Sequence, residues 1–274
     1  MPRRSRRKGY KLLYLYVISG IVGGVALIFA FVWWNNRALK TTRYKIDAGL
    51  KSGVKIVHLS DLHGARFGRD NSRLLLKVAA EKPDFIAFTG DAIHKYRPRD
   101  IETALKTASA LCAIAPVLYV SGNHEMRNKG YRFFRLKLME AGVRVLDDCT
   151  ADICGLSVTG LNCASLKNDK IYSVTPPEKE GELRLLLAHM PHFAEKYAAA
   201  GYDVVMCGHA HGGQWRIPFT GVGIFAPGQG LFPKLTSGVH VYGKTRVVIS
   251  RGLGNSQCPL RLFNRPEIVV VELS

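Results

Sequence analysis

The stretch Val117-Leu118-Tyr119-Val120-Ser121-Gly122-Asn123-His124-Glu125 decides how the rest of the chain is interpreted. Its first four residues are apolar, which is typical of a strand buried on both faces. Ser and Gly then break the pattern, and an amide, an imidazole and a carboxylate follow at once. The strand therefore ends in a loop that presents polar groups, and this loop predicts a functional site if other strands end in the same way.

Apolar runs bounded by turn residues alternate with helical patterns from Val54 onward. In the first half, strands are predicted at 54–59, 85–89 and 117–120, and helices at 72–81, 100–113 and 131–141. In the second half, strands are predicted at 156–160, 183–188, 204–207, 239–242, 246–250 and 268–272, with a helix at 191–200 and a long glycine-rich loop at 212–238. Buried strands separated by helices predict one α/β domain over residues 54–274.

Residues 12–34 form an uncharged, mostly apolar run of 23 residues. A helix of that length spans about 34 Å, which is enough to cross a bilayer. Tyr14 and Tyr16 near one end, and Trp33 and Trp34 at the other, fit the aromatic belts of a membrane helix. We therefore predict a basic segment at 1–11, a transmembrane anchor at 12–34 and a linker at 35–53.

The basic residues before this run favour a cytoplasmic N terminus and a domain outside the cell membrane. Arg37, Lys40, Arg43 and Lys45 on the far side weaken the asymmetry, so the orientation stays open. Residues 5–11 also partly resemble a twin-arginine export signal, although no A-x-A cleavage site follows. Cleavage of the segment therefore stays open as well.

The net charge of +18 is unevenly placed. Residues 1–45 carry ten Lys and Arg and no acidic residue, which leaves 29 basic against 21 acidic residues in the remainder. A mild positive balance suits an anionic substrate or an anionic membrane surface. Residues 50–274 show no basic stripe with interleaved aromatic residues, which argues against a nucleic-acid partner.

Five of the predicted strands end in Asp, Asn or His. The ends are Asp61-Leu62-His63, Gly90-Asp91, Gly122-Asn123-His124-Glu125, His189 and Gly208-His209-Ala210-His211. Each one alone is typical of a turn or a helix cap. Together they lie where α/β sheets build their sites, and they offer the nitrogen and oxygen ligands of Mn²⁺, Zn²⁺ or Fe²⁺ without a thiolate. Seven such groups exceed the needs of one ion, so two divalent ions sharing a carboxylate are predicted.

These five blocks, in this order, resemble the calcineurin-like metallophosphoesterase family over nearly all of residues 54–274. The surroundings of His209 and His211, the run 251–256 and Asn264-Arg265-Pro266-Glu267 resemble a bacterial branch that carries an N-terminal anchor or export signal. The resemblance implies a four-layer α/β/β/α sandwich with two mixed sheets. It also shows one departure, since the family often reads Gly-Asp-x-x-Asp and this chain has His94 in the fourth position.

The resemblance implies a role for each block. The first ion would be held by Asp61, His63, Asp91 and His211. The second ion would be held by Asp91, Asn123, His189 and His209, with Asp91 bridging. His124 would bind no ion and would act as the general acid at the leaving-group oxygen, while a hydroxide bridging the two ions attacks phosphorus. His58, His192 and His240 match no ligand position and are interpreted as structural or exposed.

The implied function is hydrolysis of a phosphodiester or pyrophosphate by a metal-dependent phosphoesterase. Relatives in the anchored branch include general phosphodiesterases and enzymes that cleave UDP-2,3-diacylglucosamine, so the substrate of this chain could be lipid-linked. The long loop carries Phe219, Phe225, Leu231 and Phe232, which would either contact acyl chains or pack within the loop. Two alternatives stay open, namely a membrane-anchored binding protein that has lost turnover and a nuclease.

Overall fold

The computed structural model describes residues 3–94, 97–167, 170–175, 182–256 and 258–274. The helices are α1 (Arg3–Arg37), α2 (Ser72–Ala80), α3 (Pro98–Cys112), α4 (Asn123–Met126), α5 (Tyr131–Glu140), α6 (Cys163–Lys167), α7 (Ile171–Val174) and α8 (Ala194–Ala199). The strands are β1 (Lys40–Ile46), β2 (Val54–Leu59), β3 (Phe85–Thr89), β4 (Val117–Val120), β5 (Arg144–Val145), β6 (Cys149–Ile153), β7 (Leu156–Gly160), β8 (Arg184–Leu187), β9 (Val204–Cys207), β10 (Phe225–Ala226), β11 (Gly230–Leu231), β12 (Gly238–Tyr242), β13 (Thr245–Ile249) and β14 (Glu267–Leu273). Short 3₁₀ helices occupy Arg69–Asn71, Pro191–Phe193 and His211–Gly213.

Two six-stranded sheets form the centre of the fold. The first has the order β1-β14-β2-β3-β4-β5, in which β14 runs antiparallel to β2 and the other pairs are parallel. The second has the order β12-β13-β9-β8-β7-β6, with antiparallel pairs only at its two edges. Helices α2, α3 and α5 connect parallel strands of the first sheet, as parallel pairing requires.

Alternate side chains of the central strands separate the apolar core into three parts. In β3, Ile86 and Phe88 face the cluster that includes Leu74 of α2 and Phe134 of α5. Phe85 and Ala87 of the same strand face the other sheet. A third cluster lies between the second sheet and helices α6 and α8. The layers are therefore helix, sheet, sheet and helix, and the predicted four-layer α/β fold with two mixed sheets is confirmed.

The predicted linker at 35–53 is wrong over much of its length. Helix α1 continues to Arg37, and β1 pairs in parallel with β14 from Lys40 opposite Glu267 to Ile46 opposite Leu273. Only residues 47–53 connect β1 to β2, so the first sheet begins at Lys40 instead of Val54. The sequence Lys-Thr-Thr-Arg-Tyr-Lys-Ile hides this strand because an edge strand is half exposed and tolerates polar residues.

Helix α1 extends away from the sheets over most of its length. Lys11–Arg37 is long and apolar enough to cross a membrane. Its most apolar 18 residues have a mean hydropathy of 2.4 and are not buried by other parts of the chain. Its C-terminal end, in contrast, is held firmly. The Oδ1 atom of Asn35 accepts the backbone N–H of Asn264 at 3.0 Å, and the Oδ1 atom of Asn36 accepts that of Arg261 at 2.8 Å.

Candidate metal centre

The two sheets bring their polar strand ends together at one edge. The backbone N–H groups of Asp61 and His63 donate to the carbonyls of Gly90 and Asp91, each at 3.0 Å. The backbone N–H of His209 crosses from the second sheet to Oδ2 of Asp61 at 2.9 Å. Because these bonds join the ends of β2, β3 and β9, the predicted site residues that follow these strands line a single cleft.

The first cluster consists of Asp61, His63 and His211, which are buried and offer ligand atoms within 4.8 Å of one another. The Nε2 atoms of His63 and His211 lie 3.2 Å apart. Oδ1 of Asp61 lies 3.4 Å from Nε2 of His211 and 3.8 Å from Nε2 of His63. Two imidazoles and a carboxylate converging in this way are able to hold a divalent cation.

The second cluster consists of Asp91, His189 and His209, which are also buried. Nε2 of His189 lies 3.2 Å from Oδ2 of Asp91 and 3.1 Å from Nδ1 of His209. The same Oδ2 atom lies 3.6 Å from Nε2 of His63, a member of the first cluster. Asp91 is therefore the carboxylate that stands between the two clusters.

Buried acceptors without a donor lie at the site. Asp61 and Asn123 each bury an Oδ1 atom that has no hydrogen-bond donor within the part of the chain that the structure describes. An orphaned buried oxygen costs free energy, about 1–3 kcal/mol for a neutral group, unless it finds a partner. A bound cation would satisfy both atoms, so the donor set fits the ions that the sequence predicts.

Backbone carbonyls orient the imidazoles. Nδ1 of His189 lies 2.7 Å from the carbonyl oxygen of Thr89, and Nδ1 of His211 lies 3.3 Å from that of Gly254. An Nδ1–H that donates to these carbonyls leaves Nε2 with a free lone pair directed into the cleft. This arrangement is the usual support of a metal-ligating histidine.

Burial keeps two of the imidazoles neutral, since it lowers the pKa of His63 and of His211 to about 3. His189 behaves differently. Burial lowers its pKa, but the carboxylate of Asp91, to which it is hydrogen-bonded, together with Asp61, outweighs burial and raises the pKa to about 10. The position between Asp91 and His189 therefore favours a positive charge, which a proton or a metal ion can supply.

Five of the seven predicted ligands adopt left-handed backbone conformations that side chains rarely take. The φ angles are 52° for Asp61, 49° for His63, 52° for Asp91, 66° for His209 and 47° for His211. Each such residue costs about 1–3 kcal/mol and persists only where the surrounding structure enforces it. This concentration of strain at one cleft is typical of a functional site.

Two glycines allow the strand ends to approach closely. A Cβ on Gly208 would lie 1.8 Å from Oγ of Ser60 and 2.4 Å from Oδ2 of Asp61. A Cβ on Gly122 would lie 2.0 Å from Oδ1 of Asp91. All three distances are far inside van der Waals contact, so no other residue fits at either position without moving a predicted ligand.

Glu125 fixes the loops that carry Asp91 and Asn123. Its fully buried carboxylate accepts the backbone N–H groups of Asp91 at 2.9 Å, Gly122 at 2.9 Å and Ile93 at 3.1 Å. The bond to Gly122 also caps helix α4, on which Asn123 and His124 lie. Glu125 therefore supports the loops of the site, and its carboxylate does not point into the cleft.

His124 lies at the mouth of the cleft, where its side chain is 22% exposed. Its Nδ1 atom is 2.8 Å from the carbonyl oxygen of His94, and its Nε2 atom is 3.9 Å from Oδ2 of Asp91. The Nε2 atom therefore faces the metal clusters, and the side chain that carries it is partly open to solvent. This is the position that a proton donor to a leaving group needs.

His94 and two residues beyond β13 are parts of the site that the sequence did not predict. The ring of His94 lies 4.9 Å from that of His124 and 5.3 Å from that of His63, so the departure at this position fills the mouth with a third imidazole. Nδ2 of Asn264 donates to the carbonyl of His211 at 2.7 Å, and Nη2 of the fully buried Arg261 lies 3.4 Å from Nδ1 of His211. The departure from the family pattern signalled His94. Asn264 lies in a motif of the bacterial branch that predicted no role in the site, and nothing signalled Arg261.

The remaining histidines lie outside the two clusters. His58 is fully buried, with Nε2 2.8 Å from Oγ1 of Thr89, and burial lowers its pKa to about 3. His240 contacts the carbonyl of Ser237 at 3.1 Å. His192 packs on Phe193 with ring centroids 4.5 Å apart. These positions agree with a structural role.

The sequence profile of the calcineurin-like phosphoesterase family matches residues 54–213, which include all eight predicted site residues. This chain belongs to the calcineurin-like phosphoesterase family. Its membership makes it a metal-dependent hydrolase of phosphate esters, and the two His/Asp clusters are groups that could hold the metal.

The similarity to bacterial phosphoesterases extends beyond the residues that the family profile matches. The phosphoesterase is 28% identical to the uncharacterized metallophosphoesterase YkuE of Bacillus subtilis (strain 168), over 100% of this chain and 99% of that protein. It is 30% identical to the phosphodiesterase YaeI of Escherichia coli (strain K12), over 80% of this chain and 82% of that protein. It is 28% identical to the uncharacterized metallophosphoesterase Cj0846 of Campylobacter jejuni, over 100% of this chain and 73% of that protein.

Proposed function

We propose that the phosphoesterase hydrolyses a phosphodiester or a pyrophosphate with two divalent cations in the cleft. The first cation is held by Asp61, His63, Asp91 and His211. The second is held by Asp91, Asn123, His189 and His209. The observation that carries this proposal is the position of Asp91, whose Oδ2 atom lies 3.2 Å from Nε2 of His189 and 3.6 Å from Nε2 of His63.

Two such cations, when bound, supply charge neutralisation at the phosphoryl oxygens and an activated water for in-line attack. The ion is Mn²⁺, Zn²⁺ or Fe²⁺, because the donor set is nitrogen and oxygen without sulfur. The chain's own residues orient these ions and control the proton. Backbone carbonyls fix the imidazoles, and Glu125 fixes the loop of Asp91.

His124 donates a proton to the departing oxygen in this proposal. Three observations support this role of His124. The side chain lies at the mouth of the cleft, its Nε2 atom is directed toward Asp91, and the carbonyl of His94 fixes its Nδ1 atom. General acid catalysis of this kind contributes about 10²–10⁴-fold to the rate. Preference for a diester over a monoester is supported by the phosphodiesterase YaeI, to which this chain is 30% identical.

A lipid-linked substrate is supported by the surroundings of His211. A cavity of about 230 Å³ beside it is lined by Gln214, Phe225 and Pro227, among others. Phe219, Leu231 and Phe232 of the same loop are exposed, as an acyl-binding surface requires. The proposal places helix α1 across the cell membrane as an anchor, with its basic N terminus in the cytoplasm and the domain outside, because the span Lys11–Arg37 has the length and hydropathy of a membrane helix.

Assay of the full chain with Mn²⁺ on a nitrophenyl phosphodiester, a nitrophenyl monoester and a UDP-linked lipid tests this function. We expect turnover of a diester or pyrophosphate to exceed that of the monoester, to disappear with a chelator and to return with Mn²⁺. Bound metal without turnover on any of the three substrates would contradict hydrolysis and favour a binding protein. Faster turnover of the lipid than of the nitrophenyl diester would support the lipid-linked substrate.

A further inference from the structure

A second cavity, separate from the metal centre, lies between the end of helix α1 and the tip of the loop 212–238. It measures about 490 Å³, and none of the predicted metal ligands lines it. Its apolar walls are formed by Phe31 and Trp34 of α1 and by Phe219 and Phe263 of the domain. The rings of Phe31 and Phe263 are 5.1 Å apart, so the helix and the domain form one continuous apolar surface here.

The same cavity carries an excess of positive charge. Its cationic lining residues are Lys40, Arg216, Arg251 and Arg265. Glu267 is the only carboxylate that pairs with any of them within the described part of the chain, at 3.6 Å from Nε of Arg251. Glu267 is itself fully buried and also accepts the hydroxyl of Thr42 at 2.5 Å. Four positive charges therefore face one carboxylate, which leaves an excess of three positive charges.

Two of these cations are held in place by neutral groups. Arg265 donates from Nε to the carbonyl of Ala38 at 2.9 Å and from Nη2 to that of Leu39 at 3.0 Å, and it stacks on Trp34 at 4.8 Å. Arg216 donates to the carbonyl of Gly212 at 2.9 Å. Burial and the nearby charge of Arg251 lower the pKa of Arg216 to about 10, as expected where positive charges are crowded together. These two charges are fixed in advance, and the cavity keeps its excess of positive charge.

We propose that this cavity binds one anionic phospholipid from the leaflet at which helix α1 ends. The headgroup phosphate lies against the guanidinium groups, and an acyl chain follows Phe31 and Trp34 along the helix. The fully exposed Phe219 at the loop tip lies in the same membrane interface. The inference rests on the proposed insertion of α1, and it is independent of the chemistry at the metal centre.

The lipid is favoured over a free phosphate because the apolar walls continue into α1. A phosphate alone would leave Phe31, Trp34, Phe219 and Phe263 unused. A zwitterionic lipid would leave the three positive charges uncompensated. Each cation near an anionic surface contributes about 1 kcal/mol, which corresponds to about fivefold in lipid affinity.

The chain contains three tryptophans, and Trp34 alone among them lines the cavity. The test therefore uses the full-length Trp33→Phe, Trp215→Phe variant, reconstituted in vesicles of equimolar phosphatidylcholine and phosphatidylglycerol. Either one lipid or the other is brominated. We expect brominated phosphatidylglycerol to quench the fluorescence of Trp34 more strongly than brominated phosphatidylcholine does.

Charge variants on this background identify the site. Lys40→Gln, whose side chain makes no hydrogen bond or ion pair with the described residues, and Arg216→Gln are each expected to lower the preference for phosphatidylglycerol by about fivefold. The matched control, Arg69→Gln with Lys77→Gln, removes two exposed cations from elsewhere and is expected to keep the preference. If Arg216→Gln does not fold, Lys40→Gln alone decides.

Three outcomes would overturn the proposal. Equal quenching by both lipids would contradict the site for an anionic lipid, but it would still agree with the insertion of α1. Absence of quenching by either lipid would overturn both the site and the insertion. An equal loss of preference in the control variant would assign the effect to general surface charge. The quenching of Trp34 does not depend on turnover at the metal centre, so a failure of the lipid site is distinguishable from a failure of the proposed hydrolysis.

Discussion

The amide of Asn264 donates from Nδ2 to the backbone carbonyl of His211 at 2.7 Å, and its own backbone N–H donates to Asn35 at the end of helix α1 at 3.0 Å. One buried residue thus joins a predicted metal ligand to the foot of the apolar helix. The end of α1 is consequently part of the support of the metal centre. Removal of the whole helix would also remove this support.

Asn264→Ala is expected to weaken the first ion site by about 10–100-fold, as the loss of an outer support of a ligating histidine usually does. The reason is that the carbonyls of His211 and Gln214 both lose the side-chain amide of Asn264 as a donor, and only the backbone N–H of Gln214 still donates to His211. Titration of Mn²⁺ by calorimetry measures the effect. Asn162→Ala serves as the control, because it removes an amide that donates to Oδ2 of Asp148 and accepts two backbone N–H groups instead. Unchanged affinity with a lowered melting temperature would assign Asn264 to stability alone.

Glu125→Gln is expected to lower the melting temperature by about 2–10 °C. The buried carboxylate accepts the backbone N–H groups of Asp91, Gly122 and Ile93. In the glutamine variant an NH₂ group replaces one carboxylate oxygen, so that a donor faces at least one of these N–H groups. The displaced Asp91 loop should also bind both ions more weakly. Scanning calorimetry with and without Mn²⁺ measures both effects, and Glu102→Gln on the surface of α3 is the control. A wild-type melting temperature would contradict this support role.

Gly208→Ala is expected to abolish binding at the first ion site, because the added Cβ would meet Oγ of Ser60 at 1.8 Å and Oδ2 of Asp61 at 2.4 Å. The control is Gly53→Ala, whose Cβ meets only the carbonyl of Leu273 at an ordinary 3.5 Å. Metal content per chain, measured by elemental analysis, reports the result. Full metal content in the Gly208 variant would show that the strand ends can separate without harm.

The sequence predicted the fold best where strands are buried on both faces. Strands β2, β3, β4, β7 and β9 have the predicted bounds. Their apolar residues either form a continuous run, as in β3, β4 and β9, or recur between single polar residues, as in β2 and β7. Strand β1 was missed because an edge strand with three basic residues, Lys40, Arg43 and Lys45, has no apolar pattern to recognise. Its partner, β14, lies more than two hundred residues away in the chain.

The site residues likewise divide into those that the sequence predicted and those that it did not. Ligands could be predicted because they follow strands whose ends must meet, and their chemistry is carried by single residues such as Asp91. Arg261, Asn264 and Asn35 could not be predicted, because their roles depend on contacts between distant parts of the chain. His94 shows an intermediate case, in which a departure from a pattern signalled a difference without showing that the ring would lie beside His124.

The division of labour between the ligands and His124 is the central claim, and the metal content and turnover of His124→Ala test it most directly. We predict two ions per chain, as in the wild type, with turnover of a phosphodiester lowered by about 10²–10⁴-fold. Asp91→Ala, which removes the carboxylate between the two clusters, should instead lose both ions. Loss of metal from His124→Ala, or wild-type turnover in that variant, would contradict the account.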